Sequence, residues 1–145
     1  MNSPENEWQN VILFWFHELK PVDWFSSSAD LDEKIEERFF TILQRAKYGE
    51  LFSWRKTPEG RLAEIIVLDQ FSRNIYRGTS EAFAQDGIAL TLAQEMVELG
   101  LDKLLDIHKR NFSYMPFMHS ESQLIHQQAE KLFNQIGLEN SYKYE

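Results

Sequence analysis

Apolar residues along the chain recur at intervals of three and four, the spacing of a buried helix face. Trp8, Val11, Ile12, Trp15, Phe16 and Leu19 give one wide stripe. Ser3-Pro4-Glu5 predicts where that helix starts, and Lys20-Pro21 where it ends, because the residue before a proline is pushed away from helical angles. Asp23-Trp24-Phe25-Ser26-Ser27-Ser28 reads as a loop whose two aromatics lid the core. A second stripe is Leu31, Ile35, Phe39, Ile42, Leu43 and Ala46, opened by Asp30-Leu31-Asp32-Glu33 as an acidic capping box and closed by Gly49. The acidic run over residues 30–37 reads as a solvated face. Leu51, Phe52 and Trp54 predict a short apolar turn.

The next helix is central. Thr57-Pro58-Glu59 supplies a capping hydroxyl, a proline at the first helical position and an acid in the first turn, and Gly78 supplies a stop. At about 100° per residue, Leu62, Ala63, Ile65 and Ile66 share one side, with Arg61 and Glu64 opposite. In the second half the sides exchange character: Asp69, Arg73, Arg77, Gln70 and Asn74 continue the apolar stripe on an arc of roughly 140°. Either the helix passes from core to surface there, or its core stripe runs into a polar pocket.

Beyond Gly78, Thr79 or Ser80 predicts the cap of a helix reaching about Leu99, with Gly100 behind it. One face carries Ala82, Asp86, Ala89, Ala93 and Met96, so Asp86 is an acid among small residues and requires a partner, with Arg73 or Arg77 nearest in sequence. After a link at 101–105, a helix over 106–115 carries Ile107, Phe112 and Met115 and stops near Pro116. Ser120-x-x-Gln123 reads as the capping box of a last helix to Gly137, with Ile125, Ala129, Leu132 and Ile136 inward. Helices of this length joined by short Gly, Pro and Ser loops predict an all-α fold of antiparallel helix hairpins.

Composition narrows the picture. A length of 145 residues predicts a single helical domain over 1–145, and 43% hydrophobic content with eleven Phe, four Trp and five Tyr predicts an aromatic core. The net charge of −8 disfavours nucleic acid as a partner. The absence of cysteine excludes disulfides, thiolate metal sites and cysteine nucleophiles, and fits a cytoplasmic protein. No secretory leader is visible, and the longest apolar run, residues 11–16, is too short for a membrane span.

Three readings of the central motif stay open. As a binding or scaffold module, Gln70, Arg73, Asn74 and Arg77 hold an anionic small molecule or an acidic peptide, with Asp86 and Glu121 completing the site. As a small-molecule enzyme, Asp69 or His119 is the acid–base group and the arginines bind phosphate or carboxylate. As architecture, the charges pair with one another and fix helix register. His17 reads as a packing residue among aromatics. His126 and Glu130 are four apart but lack a third ligand at metal-site spacing, so neither a metal nor a cofactor is expected.

Three motifs in order carry a family resemblance: Leu68-Asp69-Gln70-Phe71-x-Arg73-Asn74-Ile75-x-Arg77-Gly78, Phe83-Ala84-x-Asp86, and Pro116-Phe117-Met118-His119-Ser120-Glu121. With Phe14-Trp15-Phe16 and Trp24-Phe25, they resemble the bacterial family catalogued as domain of unknown function 924, over nearly the whole chain. The resemblance implies a tetratricopeptide-like helical fold and no particular activity. Ser72 stands where that family usually has proline, which predicts a less kinked central helix. Family members usually continue into a further helix, so the chain is expected to be C-terminally short, and to self-associate as a homo-oligomer or to be a fragment.

Overall fold

The computed structural model describes residues 7–135. Among them the chain is all-α, with no strand. The helices are α1 (Glu7–Leu13), α2 (Pro21–Trp24), α3 (Ala29–Lys47), α4 (Pro58–Ile66), α5 (Ser72–Ile75), α6 (Asp86–Glu98), α7 (Ile107–His119) and α8 (Gln123–Phe133). The expected start at Ser3-Pro4-Glu5, the inward Ile136, the stop at Gly137 and the C-terminal residues 138–145 lie outside the described residues.

The central helix is not a uniform α-helix. α4 passes through a π-helical turn, Val67–Phe71, into α5. Thr57 caps its start, Oγ1 accepting from the Gly60 amide at 3.0 Å. Gly60 is required on steric grounds: a Cβ there would lie 2.0 Å from the Trp54 carbonyl oxygen, where the Phe52–Lys56 turn crosses α4. From Leu62 to Ser72 every residue is buried, so this stretch is the axis of the core and not an amphipathic surface helix. Glu64, expected on a polar face, is 1% exposed. Both its oxygens accept from Arg55 at 2.8 Å, which satisfies the charge that burial would otherwise leave stranded.

α1 packs on α4, α3 on the π turn and α5, and α6 and α7 on α4. Consecutive helices α6–α7 and α7–α8 also pack together, as their short connections require. The central helix, from α4 through the π turn to α5, is thus flanked by α1, α3, α6 and α7. The core is aromatic: Phe71 stacks on Phe39 at 4.8 Å, and Trp15 meets Phe71 and Phe112 edge-on at 5.8 and 5.4 Å.

Several expected boundaries shift, each for a local reason. Residues 21–24, expected to be outside any helix, form the single turn α2, because Pro21 takes its first position and Asp23 Oδ2 accepts from the Lys20 amide at 2.8 Å. Trp24 donates through Nε1 to the Trp15 carbonyl at 2.8 Å and closes over Phe112 at 5.0 Å. The cap of α3 is Ser28, not the acidic box, its Oγ accepting from the Leu31 amide at 3.2 Å. Thr79 does not cap a helix, because its hydroxyl is turned back to donate to the Tyr76 carbonyl at 2.8 Å. A 3-10 turn (Ser80–Phe83) intervenes, and α6 begins at Asp86, where a carboxylate suits the helix dipole. α7 runs through Pro116 to His119; residues 111–117 are all buried, and their packing offsets the one hydrogen bond the proline removes. The last cap is Ser122, accepting from the Ile125 amide at 3.3 Å, since the Ser120 hydroxyl is engaged by the Ser122 amide.

Candidate functional site

The π turn explains why the central motif carries so much polarity into the core. Such a turn lies one residue out of phase with α-helix, and it often marks functional positions. Here it presents Asp69 and Gln70 inward together with Val67, Leu68 and Phe71. Asp69, 1% exposed, has both oxygens engaged. Oδ1 accepts from Arg73 Nη1 at 3.0 Å and lies 2.8 Å from His119 Nδ1, while Oδ2 accepts from Gln70 Nε2 at 2.9 Å. The Asp69 carbonyl also accepts from Arg73 Nη1, at 2.9 Å. No proline is needed for this interruption of helical register: it occurs with Ser72 in place.

Arg73 bridges two helices. Besides Asp69, Nη1 and Nη2 donate to the two oxygens of Asp86, at 2.8 and 3.0 Å, in a paired fork across to α6. Its guanidinium lies 5.3 Å from the Phe83 ring centre. The position between the two carboxylates, where a cation would sit, is thus filled by the protein's own guanidinium. Among the described residues no group of three or more His, Asp and Glu side chains is arranged to hold a metal ion.

Burial alone would push the Asp69 carboxyl up. The charges of His119 and Arg73 and the hydrogen bonds from His119 and Gln70 outweigh it, and Asp69 is held below the ordinary carboxylate range. His119 reaches it only because α7 continues past Pro116: the ring sits at the last position of α7, mostly buried. With a neutral ring, Nδ1–H donates to Asp69 and the lone pair lies on Nε2.

Arg77 and Asn74 do not join this cluster. Arg77 lies beyond the end of α5, and Gly78 (φ 85°) turns the chain away just after it. Both side chains reach α3 instead: Arg77 Nε and Nη2 donate to Asp32 at 2.7 and 3.1 Å, and Asn74 Nδ2 donates to Asp32 Oδ1 at 2.9 Å. Burial raises Asp32, but these three donors prevail and hold it below its ordinary value. Asp32 is the functional candidate that sequence reading missed. The acidic run around it reads as a solvated face, and its place in the first turn of α3 is shared with Asp30, so no local signal singles it out.

Two adjoining cavities open on the site. The larger, about 740 Å³, is walled by Phe83, Leu90, Pro116 and Met118, with Asp86 and Glu121 also lining it. The smaller, about 190 Å³, holds Ser26, Ser27, Gln70, Asn74 and Arg77. Arg73 and His119 belong to the walls of both. The structure therefore gathers Asp69, Gln70, Arg73, Asp86 and His119, leaves Glu121 exposed along the larger cavity, and ties Asn74 and Arg77 to α3, where with Gln70 they line the smaller cavity. His17 lies elsewhere, in a hollow of about 410 Å³ with Trp24 and His108. Among the described residues no helix is long and apolar enough to cross a membrane.

Residues 11–145 match the model of the family described as "Bacterial protein of unknown function (DUF924)". No curated protein is similar to the chain. The solved structure of a protein of unknown function from Agrobacterium tumefaciens is similar to it, with 30% identity and a TM-score of 0.90, over 98% of this chain and 82% of that one.

Proposed function

The chain belongs to this bacterial family, whose description names no activity, and from the geometry we propose that the groove at Arg73 and His119 is a small-molecule site in which His119 is the acid–base group. The observation that carries this reading is the contact of His119 Nδ1 with the buried Asp69 carboxylate, 2.8 Å, at the wall of a cavity of about 740 Å³. A buried carboxylate behind an imidazole orients the ring and stabilises the imidazolium that forms when the ring takes a proton. Cavities of this size suit small ligands.

The same contacts weigh against Arg73 as the clamp for an anionic ligand. Asp69 and Asp86 already accept from Arg73, so an anion there has to displace a carboxylate that is covalently part of the protein. Two carboxylates, Asp86 and Glu121, line the larger cavity with one guanidinium, and a third, Asp69, is buried behind that guanidinium. A neutral or cationic ligand fits that balance better than phosphate or an acidic peptide.

Thermal unfolding of wild type and His119→Gln, each with panels of amides, amines, carboxylates and phosphates, tests the proposal. A ligand at a hundred times its Kd adds about 2.7 kcal/mol of stability, so it raises the wild-type midpoint by several degrees and that of the variant by less. For any ligand that is also turned over, His119→Gln lowers kcat about 10²- to 10⁴-fold. If no ligand moves the wild type, while Asp69→Asn alone melts lower, the network is architecture and the proposal fails.

A further inference from the structure

Building on that reading of His119, we infer that the site takes an elongated ligand, a primary carboxamide with an aliphatic tail that bears no negative charge. The head lies in the smaller cavity and the tail in the larger, and the ligand crosses the Arg73–His119 saddle between them.

The head follows from hydrogen-bond accounting. A carboxylate only accepts, so the amide groups facing Asp69 and Asp32 must present nitrogen to them. Gln70 gives Nε2 to Asp69 and Asn74 gives Nδ2 to Asp32. Each amide then has its oxygen on the opposite prong, and both residues line the smaller cavity. These oxygens are acceptors. The same cavity carries donors, the Ser27 hydroxyl and Arg77, whose Nη1 makes only a long 3.5 Å contact to Ser27 Oγ, while the Ser26 hydroxyl is already given to the Asp23 carbonyl at 3.2 Å. Paired donors and acceptors match a carboxamide, which has both, whereas a carboxylate head would meet the two amide oxygens with no proton to give.

The tail follows from the larger cavity. Phe83, Leu90, Pro116 and Met118 offer apolar surface, and Asp86 and Glu121 bring negative charge. An aliphatic chain is stabilised there by burial, and a chain ending in a carboxylate is repelled. Arg73 and His119 belong to both walls, so the two cavities adjoin at this pair, and the ligand passes over it from one to the other.

Calorimetric titration of the full chain with butanamide, hexanamide and octanamide reads the tail directly. Each added methylene is expected to tighten binding by about two- to fourfold, the upper figure for full burial. Leu90→Trp, which fills the larger cavity, is expected to abolish that dependence on chain length. Ser27→Phe, on an exposed loop, is expected to weaken every member about tenfold or more. Hexanamide with a terminal amine is expected to bind at least as tightly as hexanamide, and the chain ending in carboxylate about tenfold more weakly. A wild-type affinity indifferent to chain length, or tightest for the carboxylate-ended chain, overturns the inference, and needs no variant to fold. The His119 ring signals in nuclear magnetic resonance separate the two levels. Amides that move them without chain-length dependence leave His119 as a ligand site and refute the two-cavity ligand. Amides that bind without moving them, or fail to bind, refute this inference, and the wider ligand panels then decide the His119 reading on their own.

Discussion

Removing Arg73 is the sharpest test of how the central motif is held. Arg73→Met keeps the length of the stem and deletes the charge, so packing changes little and the guanidinium's four contacts to Asp69 and Asp86 are lost. Asp69 is 1% exposed and keeps only His119 and Gln70, while Asp86 is about a quarter exposed and recovers water. Breaking a fully buried pair from one side costs about 3–5 kcal/mol, and the partial exposure of Asp86 and Arg73 places this case toward about 3 kcal/mol. For a chain of this size that is a fall in Tm of roughly 10 °C. Urea unfolding at neutral and acid pH measures it. The folded pKa of Asp69 is depressed, so its stabilisation is present above the unfolded value, near about 3.9, and is lost as pH falls through the folded value. Arg73 is one cause of that depression, so the variant should lose less stability on acidification than wild type, and the two curves should converge at low pH. A change below about 0.5 kcal/mol at neutral pH, or a gap that widens on acidification, would refute the argument that Arg73 stabilises a buried charge.

Two further outcomes bear on the frame around the site. Gly60→Ala puts a methyl 2.0 Å from the Trp54 carbonyl and should cost about 1–3 kcal/mol in urea unfolding, despite alanine's better helix propensity. Tyr114→Phe removes the hydroxyl that donates to the buried Asp102, whose other oxygen has no hydrogen-bond partner among the described residues. A loss of about 1–3 kcal/mol is expected. In wild type, burial first and then the hydrogen bond to Asp102, against donors from Arg110 and Gln135, raise the Tyr114 hydroxyl above its ordinary pKa, so its phenolate should appear in ultraviolet titration only at unusually high pH.

The division between what local pattern and what packing decide is clear at particular residues. Apolar spacing and the Thr57 cap were enough for the central helix, and Gly49, Gly78 and Gly100 all adopt the left-handed angles expected of helix stops, because these are properties of a few adjacent residues. The polar arc on that helix was legible for the same reason: four-residue spacing brings Asp69 and Arg73 together in any helix. Partners from other helices were legible only where an uncompensated charge demanded one, as Asp86 did. Nothing local distinguishes Asp32 from its acidic neighbours, or predicts that α7 runs past Pro116 to bring His119 to Asp69. Those depend on burial of residues 111–117 and on the approach of α3, which no window of sequence contains. Sequence by itself determined the main helices, their aromatic core and the charges carried by the central helix. Tertiary structure decided which charges meet, because a buried charge takes its partner from whatever helix packing brings within about 3 Å, the length of a charged hydrogen bond.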